Sequence, residues 1–319
     1  MLSSRMTRAR KRNGLRTALL SGFVALFALA TTSSFGSATA TAEPASNAHK
    51  YYGYWNYDQP NVTTLNNVAV LACPDGTSQC DSPLPLPLRI PQVGWVLFSA
   101  GPNGTVNGHT DQGCTWNFTV TPTGLELSST TQQCFNHNIG SAGNITKWSV
   151  QVDGNREQEQ IVAISHQPNG TDLTATMNSG SRTRVDGEGG TRHIHRFLGS
   201  YSYDPADYST LTNVVSTDKG TLYPEQGTVQ FTSKGKGIIN AHTPNGCDWT
   251  LAVHGDTAEL DPATQTCHTP SGDSSLRYWA LVTDDGKHLN GFLAGSTTTH
   301  GQTPTNTYLF IGALTRSAT

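Results

Sequence analysis

One internal repeat, with a cysteine pair in each copy, limits the folds open to this chain. Gly113-Cys114-Thr115-Trp116 recurs as Gly246-Cys247-Asp248-Trp249, and in both places another cysteine lies twenty residues after the first. Several matching stretches follow one another in the same order in both halves of the chain, which predicts two tandem copies of one domain. The other matching stretches are 53–58 with 199–204, 65–68 with 211–214, 106–110 with 239–243 and 127–132 with 260–265.

The repeat also selects a disulfide pattern from six cysteines, an even number that fits a framework made in an oxidising compartment. We predict one bridge inside each copy, Cys114–Cys134 and Cys247–Cys267. The third bridge, Cys73–Cys80, would close a small loop in an insertion that only the first copy contains. A closed loop of about twenty residues contributes about 3 kcal/mol in the chain-entropy model.

The first 42 residues have the three parts of a secretory signal peptide. Residues 1–16 hold six basic side chains and no acidic one, 18–30 are largely apolar, and Ala-Thr-Ala sequences end at Ala40 and Ala42. A membrane anchor is the rival interpretation, but the apolar run is shorter than the ~20 residues of a span. We therefore predict a signal peptide at 1–42, β domains at 43–178 and 197–319, a glycine-rich linker at 179–196, and a secreted, extracellular product.

Charge argues against two classes of partner. Outside residues 1–42 the chain has 14 basic and 23 acidic residues. Nucleic acid and anionic membranes are bound by clustered lysine and arginine, so neither is expected. No later segment is apolar enough to span a membrane, and no motif calls for a cofactor or metal.

The periodicity predicts short strands joined by turns. In residues 114–120 the cysteine and the apolar side chains occupy every second position, and 247–253 repeat this alternation before a turn and a returning strand. Further strands are predicted at 52–57, 67–71, 93–98, 104–109, 147–152, 160–165 and 171–177, with counterparts in the second copy ending at 308–314. The fold class is all-β, with two tandem antiparallel domains of about eight strands, each a barrel or a sandwich. We favour the barrel because closure removes exposed strand edges.

Two resemblances accompany this interpretation. Gly53-Tyr54-Trp55 resembles the opening Gly-x-Trp of the lipocalins and wider calycin group, although the second copy has Tyr201 at the tryptophan position. That resemblance implies an eight-stranded barrel around a small apolar ligand. The Cys-x-Trp…Cys hairpin is similar to uncharacterised secreted tandem-repeat proteins of soil bacteria, which implies a setting and no activity.

The polar residues that both copies keep are one set of binding candidates. Asn107 and His109 share a strand face, as do Asn240 and His242, and if that face looks into a barrel each pair offers an amide and an imidazole to a ligand. The alternative is that each pair holds nearby turn backbone. His193 and His195 alternate like metal ligands on a strand, but no third ligand is placed by the sequence, so no metal site is predicted.

Two further features allow either contact with a partner or packing. Trp55, Tyr57, Tyr201 and Tyr203, each pair followed by an aspartate, would stack on sugar rings if exposed or form core if buried. The arm 83–88 alternates proline with Leu84, Leu86 and Leu88, and would either enter the cleft of a secreted enzyme or pack over its own domain.

Three classes of function are compatible with the sequence. The first is a binding protein for a small molecule or glycan, with no catalysis expected. The second is an extracellular interaction protein or inhibitor that acts through the arm, and the third is an enzyme without a readable motif. The chain has no Gly-x-Ser-x-Gly or His-Glu-x-x-His motif, and the predicted pairing leaves no free cysteine. Duplication favours binding, because two linked modules raise the effective concentration at a multivalent target.

Overall fold

The structure, a computed structural model, describes residues 45–74, 76, 80, 86–136, 141–166, 171–185, 193–270, 272–299 and 302–318. The predicted signal peptide and part of the glycine-rich linker lie outside these residues. Among the described residues no helix is long and apolar enough to cross a membrane.

The first part of the chain forms an antiparallel sheet of eleven strands, eight of which close a barrel (barrel 1). The barrel order is β1-β4-β5-β6-β7-β9-β10-β11, and β11 closes it by pairing with β1. The strands are β1 Gly53–Tyr57, β2 Val68–Ala72, β3 Leu88–Pro91, β4 Trp95–Ala100, β5 Val106–Thr110, β6 Thr115–Val120, β7 Leu125–Leu127, β8 Gln132–Asn136, β9 Ser141–Asp153, β10 Arg156–His166 and β11 Asp172–Val185.

The second part repeats this topology in barrel 2, whose eight strands run β12-β15-β16-β17-β18-β20-β21-β22 and close between β12 and β22. The predicted all-β fold of two antiparallel barrels is therefore confirmed, and the sandwich alternative is wrong. The strands are β12 Gly199–Tyr203, β13 Val214–Thr217, β14 Leu222–Pro224, β15 Thr228–Gly235, β16 Ile238–His242, β17 Asp248–His254, β18 Thr257–Leu260, β19 Gln265–Thr269, β20 Gly272–Val282, β21 His288–Thr299 and β22 Thr305–Arg316.

Three extra strands extend each barrel, because the long strands change partner along their length. In barrel 1, β11 pairs with β1 near its end and with β2 near its start, and β9 pairs successively with β8 and β7. A disulfide joins the start of β6 to β8 in barrel 1 and the start of β17 to β19 in barrel 2. All three predicted disulfides are present: Cys73–Cys80, Cys114–Cys134 and Cys247–Cys267.

A buried asparagine explains one of the repeated sequence stretches. Asn67 and Asn213 both have a positive φ, near 51°, and are fully buried. Asn213 donates to the carbonyls of Asp204 and Ala313 and accepts from the Ala313 N–H, all at 2.8 Å. Asn67 makes the same three bonds in barrel 1. The repeat here preserves a tie between the chain before β2 or β13 and the closing strand.

A short helical segment closes one end of each barrel. In barrel 1 a 3-10 helix, Ala45–Lys50, leads to the buried Tyr51, and in barrel 2 α1, Ile194–Phe197, ends on the buried Phe197. The predicted linker 179–196 overlaps structured chain, since β11 continues to Val185 and α1 starts at Ile194.

The two barrels pack against each other. Along β20, Trp279 and Leu281 face the interior of barrel 2, whereas Tyr278, Ala280 and Val282 face outward into the core cluster of barrel 1. Outward side chains of β21 and β22 join the same cluster, and β3 packs against β22. The covering side chains are Tyr278, Ala280, Val282, Phe292, Ala294, Tyr308 and Phe310.

Polar contacts show which end of barrel 1 is covered. Gln59, just after β1, accepts from the Asp284 N–H at 3.2 Å, and Asp111, just after β5, accepts from the Tyr278 hydroxyl. Asn56 donates to the carbonyl of His254. These positions lie where β1 and β5 end, away from the helical plug. The outer face of barrel 2 therefore closes the remaining end of barrel 1.

Candidate functional site

The predicted asparagine–histidine pairs lie outside the barrels. On β5 the buried positions are Val106 and Gly108, so Asn107 and His109 point to the outer face, where His109 Nδ1 lies 3.0 Å from the Thr115 hydroxyl. The expectation that this pair would line a lumen is wrong, because β5 turns its apolar side inward.

The second pair has a cross-strand role on the outer surface. Asn240 donates to Asp248 at 2.7 Å, and His242 Nδ1 lies 3.1 Å from the same carboxylate. The hydrogen bonds from Asn240 and His242 lower the pKa of Asp248. This geometry links β16 to β17 through side chains, and the partner of Asn240 and His242 is a carboxylate of the next strand instead of turn backbone.

Most of the predicted aromatic set is core. Trp55 is 0% exposed, and its indole N–H donates to the Tyr51 carbonyl at 2.7 Å. The buried Tyr201 donates to the Gly286 carbonyl at 2.8 Å. Both side chains therefore help fix the plugged end of their barrels, and neither offers a ring face to a ligand.

The proline–leucine arm packs inward where it is described. Leu88 begins β3 and is 1% exposed in the core cluster, and Leu86 packs against that cluster. Leu84 lies outside the described residues. Of the two alternatives for the arm, Leu86 and Leu88 follow the one in which it packs over its own domain.

His193 and His195 do not share a strand face. His193 precedes α1 and its Nδ1 lies 2.6 Å from Asp256, whereas His195 is inside the helix and exposed. The residues that the structure describes contain no group of three or more histidine, cysteine or acidic side chains able to hold a metal.

Sequence reasoning missed an ionic cluster inside barrel 1. The Arg182 guanidinium lies between the carboxylates of Glu157 and Glu159, and all three side chains are fully buried. Trp148 donates to Glu159 at 2.7 Å, and the guanidinium lies 5.0 Å from the Tyr57 ring centre. The signal was present in the sequence, because Glu157 and Glu159 alternate with glutamines on one strand and so share a face.

Electrostatics leave this cluster holding a proton near neutral pH. Burial raises the pKa of Glu157 to about 8, against the lowering effect of Arg182, and burial likewise raises the pKa of Glu159. Burial also raises the pKa of Tyr57, whose hydroxyl bonds to Glu159, so the phenol stays neutral. One proton shared by the two glutamates makes the cluster electrically neutral, the cheapest state for buried charge.

Barrel 2 has an apolar counterpart of this cluster. The strand registers place Leu289 opposite Leu314 as Glu157 lies opposite Arg182, and Gly291 corresponds to Glu159. The ionic cluster is thus not required by the fold, and its charged members are fully buried.

The end of barrel 2 opposite its plug exposes large apolar side chains of the described part of the chain. The register places Tyr223 where barrel 1 has the buried Ile90, yet Tyr223 is 38% exposed and its neighbour Leu222 is 40% exposed. Tyr203, which ends β12, is half-buried at this end. Burial raises the pKa values of Tyr203 and Tyr223, and the nearby charge of Glu225 raises both further. We call Tyr203, Leu222, Tyr223 and Glu225 the open end of barrel 2.

Glu225 is the titratable group of the open end. Burial raises its pKa to about 7, and no basic side chain contributes to that shift. Near neutral pH the carboxyl is therefore divided between a form that accepts hydrogen bonds and a form that also donates one. Barrel 1 has Gln92 at the corresponding position, which follows β3 as Glu225 follows β14.

The chain has only weak likenesses to known proteins. No protein-family model and no curated protein matches the chain. Among solved structures, a protein of unknown function from the DUF3598 family of Nostoc punctiforme PCC 73102 matches with 10% identity and a TM-score of 0.24, covering 87% of this chain and 100% of that chain. A putative outer membrane protein from Bacteroides fragilis NCTC 9343 matches with 11% identity and a TM-score of 0.25, covering 83% of this chain and 98% of that chain. Likenesses at this level say nothing about function. The architecture itself, two closed eight-stranded antiparallel barrels, resembles the calycins.

Proposed function

We propose that this protein is a secreted, extracellular binding protein that takes a small molecule or a glycan at the open end of barrel 2. The observation that carries the proposal is the asymmetry between two barrels of the same topology. The plugged ends are closed in both, and the other end of barrel 1 is covered by barrel 2. The open end of barrel 2 is the corresponding surface, and among the described residues it exposes Tyr223 and Leu222, where barrel 1 buries Ile90.

The chemistry of the open end suits a hydroxyl-rich ligand. Tyrosine rings present an apolar face to the C–H surface of a sugar, and their hydroxyls and a neighbouring carboxyl bond to its hydroxyl groups. Tyr203, Tyr223 and Glu225 supply these groups from β12, β14 and the segment that follows β14. The proposal needs no catalytic group.

Export is part of the proposal and is supported by the disulfides. Three bridges joining all six cysteines suit an oxidising compartment outside the cytoplasm. The described part of the arm does not support the interaction-protein alternative, because Leu88 is buried and Leu86 packs against the core.

The test starts with native mass spectrometry of the protein purified from its culture medium, compared with the same sample after denaturation. A glycan array then searches for ligands that are lost in purification. Binding of any ligand found is measured by titration calorimetry for the wild type, Tyr223→Ala and Glu225→Gln, with Phe135→Ala as the control, since Phe135 is an exposed aromatic residue of barrel 1.

We expect Tyr223→Ala to weaken binding at least tenfold, which is about 1.4 kcal/mol. Glu225→Gln, which copies Gln92, should remove a change of affinity between pH 6 and 8, and Phe135→Ala should bind as the wild type does. A ligand that binds Tyr223→Ala and Glu225→Gln with the same affinity as the wild type would refute the site. No bound mass together with no glycan binding at millimolar concentration would refute the function.

A further inference from the structure

A second hollow lies at the other end of barrel 2, on the rim beside the helical plug. It has a volume of about 630 Å³ and is formed where β12 begins, where the β20–β21 turn ends and where β22 ends. This volume falls within the ~300–1,000 Å³ range of small-molecule sites. The hollow does not include any residue of the open end.

Basic side chains gather at this rim of an acidic protein. Lys287, His288 and Arg316 all line the hollow. Lys287 has no ion-pair or hydrogen-bond partner for its ammonium group among the described residues, which makes it available to a ligand.

Arg316 is held in place before any ligand arrives. Its Nη2 donates to the Leu198 carbonyl, and the guanidinium lies 5.3 Å from the centre of the Tyr201 ring. The Arg316 backbone N–H also donates to the Lys287 carbonyl at 2.7 Å, so the two cationic residues sit on adjoining backbone. A guanidinium fixed by stacking loses little further freedom when it binds an anion.

Two carboxylates beside the hollow are already engaged, since Asp204 accepts from the Thr315 hydroxyl at 2.7 Å. Asp285 accepts the backbone N–H groups of Lys287 at 2.6 Å and His288 at 2.9 Å, and its other oxygen lies 2.8 Å from His288 Nδ1. Partial burial would raise the pKa of Asp285, but these donors outweigh it and hold the value at about 2. Asp285 therefore orients the His288 ring, and among the described residues it forms no ion pair with Lys287 or Arg316.

Barrel 1 has a different set of side chains at the corresponding rim. The turn Gly154-Asn155-Arg156 stands where barrel 2 has Gly286-Lys287-His288, so Asn155 replaces the free lysine. Arg184, which corresponds to Arg316, donates to the Lys50 carbonyl and lies 4.4 Å from the Trp55 ring centre. The lysine is therefore a specific feature of barrel 2.

We infer that the rim hollow of barrel 2 is a binding site for an organic anion, a carboxylate or sulfonate group carried on a small apolar body. Lys287 and Arg316 hold the anionic group, the ring of His288 lies beside it, and Leu198, Thr315 and Ala318 face the apolar body. This site is independent of the open end, which faces the other way along the barrel.

The test uses benzoate and benzenesulfonate as probes, with benzyl alcohol as the uncharged match, in titration calorimetry at low and moderate salt. Lys287→Asn, which copies Asn155, and Arg316→Gln remove one charge each, and Lys147→Asn removes a charge from the exposed outer face of barrel 1 as the control. Tyr223→Ala separates the two sites.

We expect the anions to bind, benzyl alcohol to bind at least tenfold more weakly, and Lys287→Asn to weaken anion binding at least tenfold. Lys147→Asn and Tyr223→Ala should leave anion binding unchanged. Equal binding of benzoate and benzyl alcohol, equal affinity in Lys287→Asn and Lys147→Asn, or no anion binding at millimolar concentration would each overturn the inference. Arg316 also packs on Tyr201, so Lys287→Asn decides the outcome if Arg316→Gln fails to fold.

Discussion

The ionic cluster of barrel 1 gives the sharpest stability prediction, because barrel 2 shows what the same fold does without it. We consider Arg182→Leu, which introduces the residue that barrel 2 has at Leu314. The substitution leaves Glu157 and Glu159 buried without their cation. Removing one partner of a buried ion pair costs about 3–5 kcal/mol.

That cost should depend on pH in a defined direction. Burial already raises the pKa of Glu157 to about 8 while Arg182 lowers it, so without Arg182 the value rises further. The folded variant then keeps protons that the unfolded chain releases near pH 4. Its stability therefore falls more steeply than that of the wild type as the pH rises from about 5 to 8.

A second variant separates charge from packing. In Glu157→Leu, Glu159→Gln, Arg182→Leu no group of the cluster is charged, and the glutamine oxygen still accepts from the Trp148 N–H. Replacing a whole buried ionic cluster by apolar groups is often neutral or stabilising by about 1–4 kcal/mol. We expect this variant to recover most of the stability that Arg182→Leu loses.

The assay is guanidinium unfolding followed by tryptophan fluorescence at pH 5 and pH 8, with Arg156→Leu as the control because Arg156 is exposed on the same sheet. Thermal midpoints should fall with Arg182→Leu by about 2–4 °C per kcal/mol. A loss below about 1 kcal/mol for Arg182→Leu would refute the reasoning. So would a triple variant as unstable as the single one.

Three further predictions concern the interface, a disulfide and a buried asparagine. Burial raises the pKa of Asp111 to about 7, and burial together with the nearby charge of Asp111 raises the pKa of Glu259. The stability that these carboxyls contribute below about pH 4 is therefore lost as the pH rises through 7. Asp111→Asn should flatten that decline in thermal midpoints between pH 4 and 8, and parallel curves would contradict it. Replacing both Cys247 and Cys267 by serine should cost about 3 kcal/mol in denaturant unfolding, and an unchanged midpoint would show that the bridge does not constrain the unfolded chain. Asn213→Ala loses three buried hydrogen bonds and should cost about 2–4 kcal/mol, which an unchanged unfolding midpoint would disprove.

Local patterns were sufficient for most of the barrel strands and for the disulfides, but not for β3, for β8 or for the end of β11, which lies in the predicted linker. Alternation along 114–120 predicts a strand with one buried face, and the repeated twenty-residue spacing selects Cys114–Cys134 and Cys247–Cys267. Both depend on interactions between residues close in sequence, or on a repeat that can be read directly. Alternation along β10 also shows that Glu157 and Glu159 share a face. It does not show that Arg182 lies between them.

The sites depended on the tertiary structure. Strand alternation shows that Asn107 and His109 share a face, but only barrel closure decides that this face is outside. Likewise, Tyr57 and Tyr203 occupy matching positions in the sequence, yet one is buried under a neighbouring barrel and the other stands at an open end.

By itself, therefore, the amino-acid sequence determined a duplicated, disulfide-bonded, all-β chain, because periodicity and spacing are local quantities. The tertiary structure alone decided that the outer sheet of barrel 2 covers one end of barrel 1, that Arg182 meets two glutamates, and that Lys287 and Arg316 share a hollow. Each of these contacts joins strands distant in sequence, and their approach is set by sheet closure and packing, which no short segment of the chain encodes.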